Sequence, residues 1–98
     1  MTTQTVTAID AVVAAERGQE LINWFTAMNQ RTTPQGLLRS ELLRGQGGAW
    51  RIQTTWRDAD ALKAVRNSSE PPAALQLLDA LGAQHTHAVL SIEQSHTA

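Results

Sequence analysis

The chain has 98 residues, room for one domain, with eight Lys and Arg against nine Asp and Glu and a formal net charge of -1. That balance supplies neither the clustered positive charge on which nucleic-acid binding rests nor a polybasic patch for an anionic membrane. There is no Cys, which excludes disulfide scaffolds, Cys-based zinc sites and thiol nucleophiles. Hydrophobic residues make up 42%, enough for a core, so a folded domain is expected. The opening Met1-Thr2-Thr3-Gln4-Thr5 lacks the basic segment of a secretion signal, and no uncharged apolar run approaches the ~20 residues of a membrane span. A single cytoplasmic domain over residues 1–98 is the expectation.

Residues 6–15 form a β-rich run, Val6 to Ala15, ended by Glu16-Arg17-Gly18, and predict a strand. From Gln19 the period changes. Leu21, Trp24, Phe25 and Met28 stand at i, i+3, i+4 and i+7, one stripe of an amphipathic helix. Thr32-Thr33-Pro34-Gln35-Gly36 stops it as a turn. A second strand is predicted over 37–44, and Gly45-Gln46-Gly47-Gly48 offers the positive-φ positions of a hairpin loop. In the third strand Trp50, Ile52, Thr54 and Trp56 alternate with Arg51, Gln53, Thr55 and Arg57, a period of two.

Asp58 is placed to cap the next helix, with Asp60 favoured in its first turn. That helix buries Leu62 and Val65 and breaks near Asn67-Ser68-Ser69. Pro71 and Pro72 suit the opening turn of a further helix with a stripe of Ala74, Leu77, Leu78 and Leu81, closed by Gly82. A last strand is predicted over 86–94, with Ala88, Leu90 and Ile92 on one side. The order β-α-β-β-α-α-β is the split βαβ arrangement of a ferredoxin-like α+β fold. Right-handed crossovers then give a four-stranded antiparallel sheet with its helices on one face.

The other face of such a sheet is ordinarily polar. Here Val6, Ala8, Val12 and Ala14 share one parity while Ile9, Ala11 and Val13 share the other. Leu38 and Leu42 oppose Leu37 and Leu43 on the second strand, and Val89 opposes Ala88, Leu90 and Ile92 on the last. An apolar second face of several hundred Å2 is rarely left in water. A second copy packed sheet against sheet is expected to cover it, making a homodimer.

At Thr54-Thr55-Trp56-Arg57-Asp58-Ala59-Asp60-Ala61-Leu62, a strand ending in Thr-x-Trp runs through a capping residue into a helix. This phrase resembles the antibiotic biosynthesis monooxygenase (ABM) superfamily. Gly36-Leu37-Leu38-Arg39-Ser40-Glu41-Leu42-Leu43 is similar to that family's Pro-Gly-Phe entry into its second strand, and Glu16-Arg17-Gly18 precedes the first helix in the same way. The resemblance covers about residues 6–95, the expected core. It implies a dimeric α+β barrel with an apolar pocket between sheet and helices. Some members oxygenate polycyclic phenols or anthrones to quinones without metal or flavin, and others degrade haem. The haem-degrading members use an Asn on the first strand, matched here to Ala11, and a His on the helical segment, whereas residues 58–84 contain no His. Haem degradation is therefore not expected. The cofactor-free oxygenases place an Asn four residues before the Trp, where this chain has Ile52.

Under this resemblance Trp56 walls the pocket and offers its indole N–H to a planar aromatic ligand. Arg66 and Asn67, at the end of the following helix, are placed to steady a developing oxyanion; the alternative is plain helix termination. Trp24, Phe25, Met28, Trp50, Ile52, Leu62, Val65 and Leu78 are candidates for the pocket lining, or equally for ordinary core. His85 and His87 share a strand face, but two His need a further ligand to hold a metal, so no metal site and no cofactor is expected. Asp10 inside an apolar strand reads as a partner for Arg51 or Arg57, with a base towards a phenol as the other option. Two functions stay open: a small-molecule oxygenase acting on an electron-rich aromatic, or a non-catalytic dimeric ligand-binding domain of the same fold.

Overall fold

The period-two run at Trp50–Trp56 becomes the strand that orders the rest. The computed structural model describes residues 3–30, 33–66 and 73–98. In chain order the elements are β1 (Thr5–Val12), a 3-10 turn (Ala15–Arg17), α1 (Gly18–Asn29), β2 (Leu37–Arg44), β3 (Ala49–Trp56), α2 (Ala59–Arg66), α3 (Ala73–Ala80) and β4 (Gln84–Ser91). The sheet order is β2-β3-β1-β4 and every pairing is antiparallel. This is the ferredoxin-like α+β arrangement expected from the element order. None of the described helices is long and apolar enough to cross a membrane.

Two strand boundaries move from where the composition put them. β1 ends at Val12 because Ala14 and Ala15 enter the 3-10 turn, while Val13 N–H still bonds Gly48 O at 2.9 Å. β4 starts at Gln84, two residues early. Gly82 (φ 67) ends α3 with two backbone bonds, Ala83 N–H to Leu78 O at 2.9 Å and Gly82 N–H to Asp79 O at 3.0 Å. This αL cap turns the chain straight into the strand. β4 then stops at Ser91 because its partner β1 runs out at Thr5, with one last bond from Ile92 N–H to Gln4 O at 3.0 Å. The predicted helix break at Asn67 and the prolines at 71 and 72 lie outside the described residues.

Register decides which side chains share a face. Across the sheet, Leu42, Ile52, Ile9 and His87 form one rung, and Ser40, Thr54, Thr7 and Val89 the next. These residues face the helices. β2 corrects the simple parity reading: Leu37 pairs with Trp56 but Arg39 pairs with Thr55, so a bulge interrupts the ladder between them. An extra residue resets the alternation. Leu37 and Leu42 therefore both face the helices, and Leu38 is left exposed.

The apolar groups beneath the helices form two separate clusters. The larger joins Ala11, Val13, Leu21, Trp50, Ile52 and Leu78, with Leu21 and Leu78 fully buried. The smaller joins Trp56, Ala61 and Leu62, with Leu37 and Val65 against them. The outer face carries Val12, Leu43 and Leu90, all exposed. It also carries the expected ion pair, in which Arg51 Nε and Nη2 donate to the Asp10 carboxylate at 2.7 and 3.1 Å. Those bonds hold the Asp10 carboxyl below its ordinary value.

The turn into β2 depends on one glycine. Gly36 has φ 89, its carbonyl accepts Arg57 N–H at 2.7 Å, and a Cβ there would overlap the side chain of Ala61. Gly47 has φ 66 with open space around it. Gly36→Ala should lower stability by about 2–4 kcal/mol and Gly47→Ala by about 1–2 kcal/mol, since only the first adds overlap to the left-handed backbone. Urea denaturation measures both, and equal losses would show that α2 yields to the added methyl.

Candidate functional site

Trp56 ends β3 on the helix side and is 6% exposed. α2 lies over it, burying Ala61 and Leu62 against the ring. Asp58 starts that helix as its sequence position predicts: Oδ1 accepts Ala61 N–H at 2.8 Å, and Oδ2 accepts from Arg57 Nε at 3.2 Å. The backbone bond is the main reason the Asp58 carboxyl titrates below its ordinary value, with Arg57 adding to it. The indole Nε1 donates to Thr7 Oγ1 at 3.1 Å. Thr5 stands opposite Trp56 and Thr7 opposite Thr54, so this bond runs diagonally across β3 and β1. The N–H expected to serve a ligand is instead held by the sheet. The ring supplies a wall of fixed orientation.

Beside the indole lies a row of hydroxyls. Ser40, Thr54 and Thr7 occupy neighbouring strands on one rung, each half-buried, and Ser40 Oγ bonds Thr54 Oγ1 at 3.1 Å. A hydroxyl is one donor and two acceptors. Thr7 accepts from Trp56 and keeps its own proton, and the Ser40–Thr54 bond uses one proton of two. Two O–H donors thus remain on a strip between the two apolar clusters. The rung ends in Val89, 45% exposed on edge strand β4, so the strip opens at the β4 side. Such a strip suits a flat apolar ligand carrying an electron-rich oxygen.

No protein-family model matches the sequence, and no curated protein sequence does. Solved structures match over nearly the whole chain. SnoaB from Streptomyces nogalater, a cofactor-independent oxygenase, aligns with a TM-score of 0.66 at 19% identity, covering 96% of this chain and 97% of that one. A Deinococcus radiodurans protein assigned to the antibiotic biosynthesis monooxygenases aligns with a TM-score of 0.71 at 16% identity, over 96% and 95% of the two chains. A haem-degrading protein of Mycobacterium tuberculosis aligns with a TM-score of 0.67 at 23% identity over 100% of both. This is the ABM fold.

Within the ABM fold the candidate residues divide between the two clusters. Leu62 and Val65 sit with Trp56. Trp50, Ile52 and Leu78, with half-buried Trp24 and Phe25, belong to the other cluster. Trp50 fills a notch at Gly18, where a Cβ would stand 3.1 Å from its ring, and Arg44 lies over the ring at 4.9 Å from its centroid. Trp50 and Leu78 are buried in that cluster, and Trp50 also borders an open hollow with Ala11, Val12, Ala49, Gln84 and His85, at the opposite end of β3 from Trp56. Met28 is half-buried and joins neither cluster, Arg66 is exposed at the end of α2, and Asn67 lies outside the described residues.

Ala11 pairs with Trp50 at the far end of β1, whereas the first-strand residue that meets Trp56 is Thr7. His85 is bonded to Asp79 at 2.7 Å, and among the described residues no group of three His, Cys, Asp or Glu is placed to hold a metal. Thr7, Thr54 and Ser40 do not stand out as a unit in the sequence. The available signal was a polar residue on the helix-facing parity of three strands, but which hydroxyls meet depends on register and on the β2 bulge.

Because the Asp58 pKa is lowered on folding, its stabilisation is complete above the unfolded value of about 4 and is lost as pH falls through the lower folded value. Asp58→Asn keeps a cap acceptor, so it should flatten this acid-side loss of melting temperature while staying within a few degrees of wild type at pH 7. Asp58→Ala should be lower at both. Melting curves from neutral pH downward distinguish these outcomes.

Proposed function

We propose that this protein is a small-molecule oxygenase of the ABM type, acting on an electron-rich polycyclic aromatic without metal or flavin. The observation that carries this reading is the Trp56 indole locked onto Thr7 beside open hydroxyls, on the fold that SnoaB also has. The substrate supplies the reducing electrons. An anthrone-type methylene is deprotonated to an enolate, which gives electrons to O2. One oxygen atom becomes the new ring carbonyl and the other leaves as water with the two methylene hydrogens. The protein's part is to hold the ring against Trp56, keep it from water and hydrogen-bond its oxygen. Arg66, at the end of α2, and Asn67, next to it in sequence, are retained as candidates for steadying that oxygen.

A second reading, a ligand-binding domain without turnover, is favoured by Ala11 and Ile52, which stand where the family resemblance implies asparagines. Haem is not favoured as substrate, since residues 58–84 contain no His and His85 is tied to Asp79. Oxygen consumption with an anthrone decides between the two readings. We expect one O2 consumed per quinone formed, and a fall of roughly tenfold in Trp56→Phe, equivalent to about 1.4 kcal/mol in the barrier. Quenching of tryptophan emission by the same anthrone with no oxygen uptake supports the binding domain. Neither quenching nor uptake across a panel of aromatics removes both.

The quaternary proposal is a homodimer closed through the outer sheet face, supported by exposed Val12, Leu43 and Leu90. Light scattering should give twice the chain mass, and Leu90→Glu should give the single-chain mass with the fold intact. A wild-type mass of one chain would overturn it.

A further inference from the structure

The hydroxyl strip can donate, but none of its own groups can accept a proton from a substrate. Three ionisable side chains stand on this face in the paired strands: Arg44 on β2, and His85 and His87 on β4. Arg44 lies over Trp50 and has no lone pair to offer. His85 is taken by Asp79. His87 is exposed and, among the described residues, makes no hydrogen bond or ion pair. It pairs with Ile9, so it stands one rung from Thr7, next to Val89 on the same face of β4. Diagonal neighbours on a sheet face are ~7–8 Å apart, a gap within reach of one aromatic ring and its contacts to the two side chains. A ligand oxygen on the Thr7 hydroxyl therefore brings a ring carbon near the His87 imidazole.

We propose that His87 is the general base of this site. This rests on the oxygenase reading, to which it adds the proton acceptor: the acidic hydrogen lies across one ring from the substrate oxygen. A ring nitrogen of neutral His87 takes that proton. The C–H bonding pair moves into the ring to form the enolate, and the enolate oxygen accepts from the Thr7 O–H. The imidazolium returns its proton to water at the exposed edge of β4. Imidazole is the side chain suited to this exchange near neutral pH.

Proton abstraction can be read without oxygen. The anaerobic protein in D2O, incubated with 9-anthrone, should exchange the methylene hydrogens faster than buffer alone, followed by proton NMR. His87→Gln should slow the catalysed exchange by roughly 100-fold, His85→Gln should leave it unchanged, and free imidazole should restore exchange in His87→Ala. Exchange in His87→Gln at the wild-type rate overturns the proposal, as does equal loss in His85→Gln or no wild-type exchange above buffer. Exchange that depends on His87 with no oxygen uptake in air upholds the base and rejects the oxygenase. Uptake that survives in His87→Gln does the reverse.

Discussion

The register between β1 and β3 is the constraint on which the rest depends. Setting Thr5 opposite Trp56 and Thr7 opposite Thr54 brings the indole N–H within 3.1 Å of the Thr7 hydroxyl and sends Ile9 and Ile52 into the same apolar cluster. A slip of one residue would turn each of those side chains to the other face. The pairing is specified because the two faces differ: Trp50, Ile52 and Trp56 bury on the helix side, while Arg51 reaches Asp10 on the outer side. The aromatic wall and the core thus have one cause.

The helices divide this face between them. α1 and α3 cover the Trp50 end through Leu21 and Leu78, and α2 covers the Trp56 end through Ala61 and Leu62. Neither group closes over the rung between, where Thr7, Thr54 and Ser40 remain half-buried. Hydroxyls are tolerated there because they are neither in the dry core nor without partners. The bulge at Leu37 belongs to the same design. It turns Leu37 towards Trp56, and Gly36 just before it lets the turn meet α2 at Ala61.

Local chemistry was the legible part of the sequence. The bounds of β2, the Asp58 cap and the Gly82 stop each follow from residue types within a few positions, and each is found. Pairing across 40 or more residues was not legible. That Thr7 is the first-strand residue bonded to Trp56 was not legible, because Thr7, Ile9 and Ala11 share one parity and only the ladder says which rung is which. In the same way an amphipathic stripe cannot distinguish a cavity wall from packing. Trp50 packs at Gly18 and Leu78 shares a cluster with Leu21, contacts that the stripe alone does not foretell.

The place of β1 in the sheet has a further consequence. It is the first strand in the chain but lies inside the sheet, bonded on one flank to β3 and on the other to β4, the last. During synthesis it must wait, half-satisfied, until the carboxyl-terminal residues emerge. Contacts between distant parts of a chain form slowly and leave sticky edges meanwhile. Thr7 is in that strand. The strand that carries the Thr7 hydroxyl is thus paired on both flanks only once β4 arrives, and a ribosome that stops short of β4 releases a product with an open seam.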